Sequence, residues 1–124
     1  MTQSLLVIVG RYGDVPGGAE AHAREVVRHL KGDLDIEVAT TTATDYRTWR
    51  SELTAGIDQV DGVPVRRFPV ERPRALDFKL HERRAFAAGH TMADERAFID
   101  AQGPYAPDLL EFLFRQGRDY DHAL

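Results

Sequence analysis

Ser4-Leu5-Leu6-Val7-Ile8-Val9-Gly10, the linker Arg11-Tyr12-Gly13-Asp14-Val15-Pro16 and Gly17-Gly18-Ala19-Glu20 follow one another directly. The first stretch is apolar from Leu5 to Val9 without alternation, the pattern of a strand covered on both faces of an α/β sheet. After the glycine pair, Ala19, Ala23, Val26, Val27 and Leu30 fall on one arc of about 100° at helical spacing. Glu20, Arg24, Arg28 and Lys31 share another side, and Glu20 and Arg24 stand in the favourable order for a helix ion pair. Gly32 stops the helix. A strand, a glycine turn and a helix start put unpaired backbone N–H groups and the positive helix end beside the strand's carboxyl end, a place that favours phosphate or another anion. The same glycines also serve a tight turn with close helix–sheet packing.

Working outward, Leu34, Ile36 and Val38 alternate with charged residues and run into Thr40-Thr41-Thr42. This is a second strand, parallel to the first across the helix, so the unit is βαβ. A polar connection of no clear period spans 43–56, and loops of this kind at strand ends carry binding groups. Asp61-Gly62 between Ile57–Val60 and Val63–Phe68 is a hairpin signal, with Pro64 marking a strand start or an edge. From Phe78 to Ala101 the chain predicts one or two helices, bent or broken near Gly89 and stopped by Gly103-Pro104. Pro107 opens a further helix through Phe114, closed by Gly117. Asp119 to Leu124 reads as the opening of another strand. The expected architecture is therefore α/β, a Rossmann-like three-layer sandwich with a parallel sheet in the order 3-2-1-4, its last strand cut short.

Bulk properties narrow the classes. A chain of 124 residues is one domain's worth and buries roughly two thirds of its unfolded surface. The net charge of −4 argues against a nucleic-acid partner. Cysteine is absent, which excludes disulfides and thiolate metal sites and fits the cytoplasm. No apolar run approaches the ~20 residues of a membrane span.

Individual side chains carry paired readings. Arg11, Tyr12 and Asp14 lie in the glycine loop, able to touch a ligand or to stand as solvated loop residues. Trp49, the single tryptophan, is a stacking platform for an acceptor or an anchor of its loop on the core. Arg66 and Arg67 close a strand, where they meet an anionic acceptor or form an ordinary exposed strand end; Arg72 and Arg74 share that ambiguity. His22, Glu25 and His29 share a helix side but lack a third strong ligand, so no metal site is assigned. No nucleophilic triad or carboxylate pair stands out, and no catalytic residue is assigned.

Arg11-Tyr12-Gly13, Gly17-Gly18-Ala19-Glu20, Thr40 to Leu53, Asp61 to Pro69 and Gln102-Gly103-Pro104-Tyr105, in this order over almost the whole chain, resemble the N-terminal domain of retaining glycosyltransferases of the GT-B type, family 4. The resemblance implies two Rossmann-like domains facing a cleft. The N-terminal one holds a glycan or lipid acceptor and turns Gly17 and Gly18 to the diphosphate of a nucleotide-sugar donor. Arg11, Tyr12, Trp49 and Arg67 are then candidate donor or acceptor contacts. It implies no metal and no other cofactor. The family's sugar-side histidine and its donor-binding domain lie beyond Leu124, so residues 1–124 are expected to be a partial domain, inactive alone, with peripheral membrane contact and self-association through uncovered sheet as further expectations. A non-catalytic nucleotide- or phosphate-binding module and a self-associating interaction domain are the alternatives.

Overall fold

In the computed structural model, which describes residues 2–124, the apolar stretch becomes β1 (Ser4–Ile8) and the helix after the glycine pair becomes α1 (Gly18–Leu30). Then follow β2 (Asp35–Thr41), β3 (Gly56–Val60), β4 (Val63–Phe68), α2 (Phe78–Ala85), α3 (Met92–Gln102), α4 (Pro107–Gln116), a 3-10 turn at Gly117–Asp119 and the short β5 (His122–Ala123). The sheet order is β3-β4-β2-β1-β5. The strands β4-β2-β1-β5 are parallel and reproduce the expected 3-2-1-4 order, with Leu5 opposite Ile36 and Val38 opposite Val65. The sheet is mixed because β3 adds to the edge antiparallel, Val60 opposite Val63. Pro64 sits before the pairing with β2 begins at Val65, so its missing N–H costs no parallel hydrogen bond.

Alternation decides which residues meet which layer. Leu5, Val7, Ile36, Val38, Val63 and Val65 pack with Ala23 and Val27 of α1 on one face. Leu6 and Ala39 pack with Phe112 of α4 on the other, joined by Phe68, Leu109 and Leu113. The chain is thus an α/β sandwich of three layers. Asp61 and Gly62, at φ 55° and 81°, form the hairpin turn between β3 and β4; both positive angles match a type I′ turn, whose twist suits paired strands. Gly89, at φ 73°, lies in the break between α2 and α3, and α3 restarts from Thr91, which accepts from the Asp94 N–H while the Asp94 carboxylate accepts from the Thr91 N–H. Phe78, Phe86 and Phe98 close the α2–α3 pair with ring centroids 5.6 Å apart.

One sequence expectation is corrected here. Glu20 does not pair with Arg24. Glu20 is buried against Arg11, and Arg24 reaches over the hairpin to Asp61. Side chains on a helix lean toward its N-terminus, which takes Glu20 under the glycine loop and away from Arg24. Among the described residues no helix is long and apolar enough to cross a membrane.

Candidate functional site

The carboxyl ends of β1, β2 and β4 open on the same edge of the sheet, where the β1–α1 loop lies over them. Ligands in open α/β sheets bind outside these strand ends. The loop is held by two charge clusters, the first buried and the second part-buried. In the first, the Arg11 guanidinium donates to Glu20 Oε1 from Nε at 3.0 Å, to the Thr44 carbonyl from Nη1 at 2.8 Å and to the Pro16 carbonyl from Nη2 at 2.8 Å. Arg11 is 3% exposed and Glu20 8%, so an ion pair at 2.9 Å is closed off from water. In the second, the Tyr12 hydroxyl donates to Asp61 Oδ2 at 3.2 Å, and Arg24 grips both carboxylate oxygens of Asp61 at 2.9 and 3.1 Å. Burial, reinforced by the Asp61 charge, pushes the Tyr12 phenol up to about 12. The hydrogen bonds from Arg24 pull the Asp61 carboxyl down to about 2.

Arg67 completes the support. It follows Val63 and Val65 at the strand's period of two and so lies on the same face of the sheet. Its Nη1 donates to the Tyr12 carbonyl at 2.9 Å, and its Nε has no hydrogen-bond partner among the described residues, Asp58 Oδ2 standing 3.7 Å away. The reading of Arg67 as an exposed strand end is therefore corrected: it is 6% exposed. Arg66 points to the opposite face, 2.9 Å from Glu37 and over the Phe112 ring.

The two glycines of the pair differ. Gly17 has φ 146°, and a Cβ there would overlap the Glu20 carboxylate and come within 2.8 Å of Arg11 Nη2. Gly18 has ordinary helical geometry and nothing within 4 Å of the Cβ position. The first helical hydrogen bond runs from the Ala21 N–H to the Gly17 carbonyl at 3.0 Å, leaving the N–H groups of Gly18, Ala19 and Glu20 ahead of the helical ladder. Gly17 is thus a packing requirement and Gly18 an open approach. Gly17→Ala is expected to lower stability by about 2 kcal/mol, from a conformation rare for side chains and a clash with a buried ion pair. Gly18→Ala is expected to change it by less than about 0.5 kcal/mol. Urea unfolding of both variants checks the contrast.

Trp49 lies against the chain just past the end of β1. Its ring tip packs over Gly10, where a Cβ would sit 3.1 Å from the ring, and its φ is 56°. Trp49 Nε1 has no hydrogen-bond partner among the described residues. The Thr40-Thr41-Thr42 run is tied into the same region: Thr41 Oγ1 donates to the Gly10 carbonyl at 2.6 Å, and Thr42 Oγ1 accepts from the Val70 N–H at 3.3 Å. Arg11, Tyr12 and Arg67 converge beneath the loop, and Gly17 joins them through Glu20. Trp49 is half-buried over Gly10, and of the glycine pair both residues are exposed but only Gly18 has open space at its Cβ position.

Sequence reasoning missed a cavity of about 620 Å³ between the β2–β3 and β4–α2 connections, which brings together Arg47, Arg50, Arg74 and Lys79. The available signal was that both connections leave carboxyl ends of parallel strands and both are rich in arginine. No family model, curated protein or solved structure matches this chain.

Proposed function

We propose that this chain is the acceptor-side domain of a retaining GT-B-type glycosyltransferase that moves a sugar from a nucleotide-sugar to a glycan or lipid acceptor in the cytoplasm. The observation that carries the reading is the open backbone at Gly18, at the head of α1 and beside the carboxyl end of β1. Sugar transfer places growing negative charge on the departing diphosphate. The Gly18, Ala19 and Glu20 amides, fixed in direction by the helix, stabilise that charge without having to reorganise. The absence of a side chain at Gly18 lets the phosphate oxygens reach hydrogen-bond distance.

The Glu20 carboxylate in the same turn is compatible with an anion because Arg11 neutralises it at 2.9 Å. In this reading Arg11, Tyr12 and Arg67 set the loop's shape, and Gly18 meets the donor. The opposite wall of the cleft, with base and sugar recognition, belongs to a donor domain outside these residues.

Titration of the ¹⁵N-labelled chain with UDP, GDP and pyrophosphate tests the reading. The Gly18, Ala19 and Glu20 amides are expected to shift, and Gly18→Val to remove the shifts while the rest of the spectrum holds. Unmoved amides at millimolar ligand, or equal shifts in Gly18→Val, would sink the diphosphate role.

A further inference from the structure

The cavity between the β2–β3 and β4–α2 connections has a makeup of its own. One wall is Tyr46, Arg47, Thr48 and Arg50, and the other Pro73 to Leu76 with Phe78 and Lys79. The Arg74 N–H donates to the Thr48 carbonyl at 2.9 Å and ties the walls together. Arg74 is further held by its Nε donating to the Gln102 carbonyl at 3.1 Å and by its guanidinium lying 4.3 Å over the buried Phe78 ring. Tyr46, Leu76 and Phe78 supply the apolar surface, and Leu76 is fully exposed.

The charges are one-sided. Arg47, Arg50, Arg74 and Lys79 line the cavity and no carboxylate does. Among the described residues Arg47, Arg50 and Arg74 make no ion pair. Asp77, next in the chain to Leu76 and Phe78, is engaged with His81 Nε2 at 3.1 Å, and Lys79 leans on Glu82 at 3.4 Å. Guanidinium groups without carboxylates beside apolar rings match a ligand that brings both a compact multiple charge and an apolar body. The volume, about 620 Å³, suits a small molecule.

We infer that this cavity binds a phosphate monoester carried on an apolar or aromatic body, the Arg47, Arg50 and Arg74 guanidinium groups taking the phosphate and Tyr46, Leu76 and Phe78 the body. Placing this ligand as the acceptor rests on the transferase reading; its binding does not. The cavity lies at the same strand-end edge as Gly18, and the Arg11 guanidinium, 5.4 Å from the Tyr46 ring, links the two.

Binding of 1-naphthyl phosphate, dihexanoyl phosphatidic acid, inorganic phosphate and neutral 1-naphthol to the full chain tests the inference. Both organic phosphates are expected to bind at least about ten-fold tighter than inorganic phosphate or 1-naphthol, with amide shifts in residues 46–50 and 74–79. Arg47→Gln/Arg50→Gln, which removes no ion pair, is expected to fold as the parent and to weaken both phosphates at least about ten-fold. The tighter of the two assigns the source, a lipid phosphate or a soluble aryl phosphate. No binding, equal binding of 1-naphthol, equal binding of inorganic phosphate, or shifts outside the two walls would overturn it. Should the double variant unfold, the shift map of the unaltered chain decides alone. Failure here leaves the UDP titration at Gly18 untouched, and failure at Gly18 leaves this cavity standing.

Discussion

Arg11→Ala is expected to destabilise the domain by about 3–5 kcal/mol, the cost of stripping the partner from a buried charge. Three groups lose their donor at once: the Glu20 carboxylate and the Thr44 and Pro16 carbonyls. Glu20 cannot turn to water, because it is 8% exposed beneath the loop. A buried carboxylate left without its partner is costly. Against a total stability of about 5–15 kcal/mol, such a loss removes a third or more of the margin for most domains. Glu20→Ala should cost a similar amount from the other side. Arg11→Ala/Glu20→Ala should cost clearly less than the sum, since neither charge is then stranded. Urea unfolding of the four proteins gives the coupling directly; strict additivity would show that the pair does not act as one unit.

Asp61→Ala is expected to cost about 3 kcal/mol, combining lost hydrogen bonds to charged donors with the penalty of a left-handed residue. Asp61 receives the Tyr12 hydroxyl, both Arg24 bonds and a longer contact from Arg28, while holding φ 55° in the hairpin turn. Asp61→Asn keeps the tolerance for positive φ and one acceptor, so it should lose less. The pH dependence has a fixed sign. The Asp61 carboxyl sits at about 2 when folded against 3.8 otherwise, so its contribution is present above pH 3.8 and is lost as pH falls toward 2. The Tyr12 phenol moves the other way, to about 12 from 10.0, so its contribution is intact below pH 10 and is lost as pH rises toward 12. Thermal melts across both windows, in the parent and in Asp61→Asn, should show a shallower acid slope in the variant, with Asp94, whose carboxyl is held down by its hydrogen bonds to Thr91, still contributing. An unchanged slope would mean that Asp61 is not the group responsible.

These two clusters also mark where sequence reading ends. Leu5 to Val9 announced a strand because a short unbroken apolar run rich in β-branched residues and ended by glycine fits a sheet with layers on both faces; Leu5, Leu6 and Val7 are buried, while Ile8 is 38% exposed. Ala23 and Val27 announced the helix face, and Asp61-Gly62 the hairpin, because their signals are local. The partners of Glu20 and Arg24 were not local. Helix spacing pairs them with each other, whereas Asp61 lies 37 positions from Arg24 and meets it only once β4 has paired with β2. Arg11 looked like a free loop cation because the carbonyls that bury it become acceptors only after two loops have closed. Arg67 was readable in principle: it continues the alternation of Val63 and Val65, and that period places it inside. The Gly17-Gly18 pair was legible as a helix start, but its division into one packing glycine and one open glycine needed the position of Glu20.

The α2–α3 pair sets the character of the cavity edge. Its three phenylalanine rings close mainly on one another, apart from the two apolar clusters that hold the sheet. Units bounded in this way open at lower free energy than the body that carries them. The Pro73–Lys79 wall runs into that unit, whereas Tyr46 to Arg50 belong to a loop tied back to the sheet ends. The cavity thus lies at the seam between that unit and the sheet-bound loop, and amide exchange is expected to be faster in the unit. A ligand seated across both walls is expected to slow amide exchange in α2 and α3, including at ends that touch no ligand.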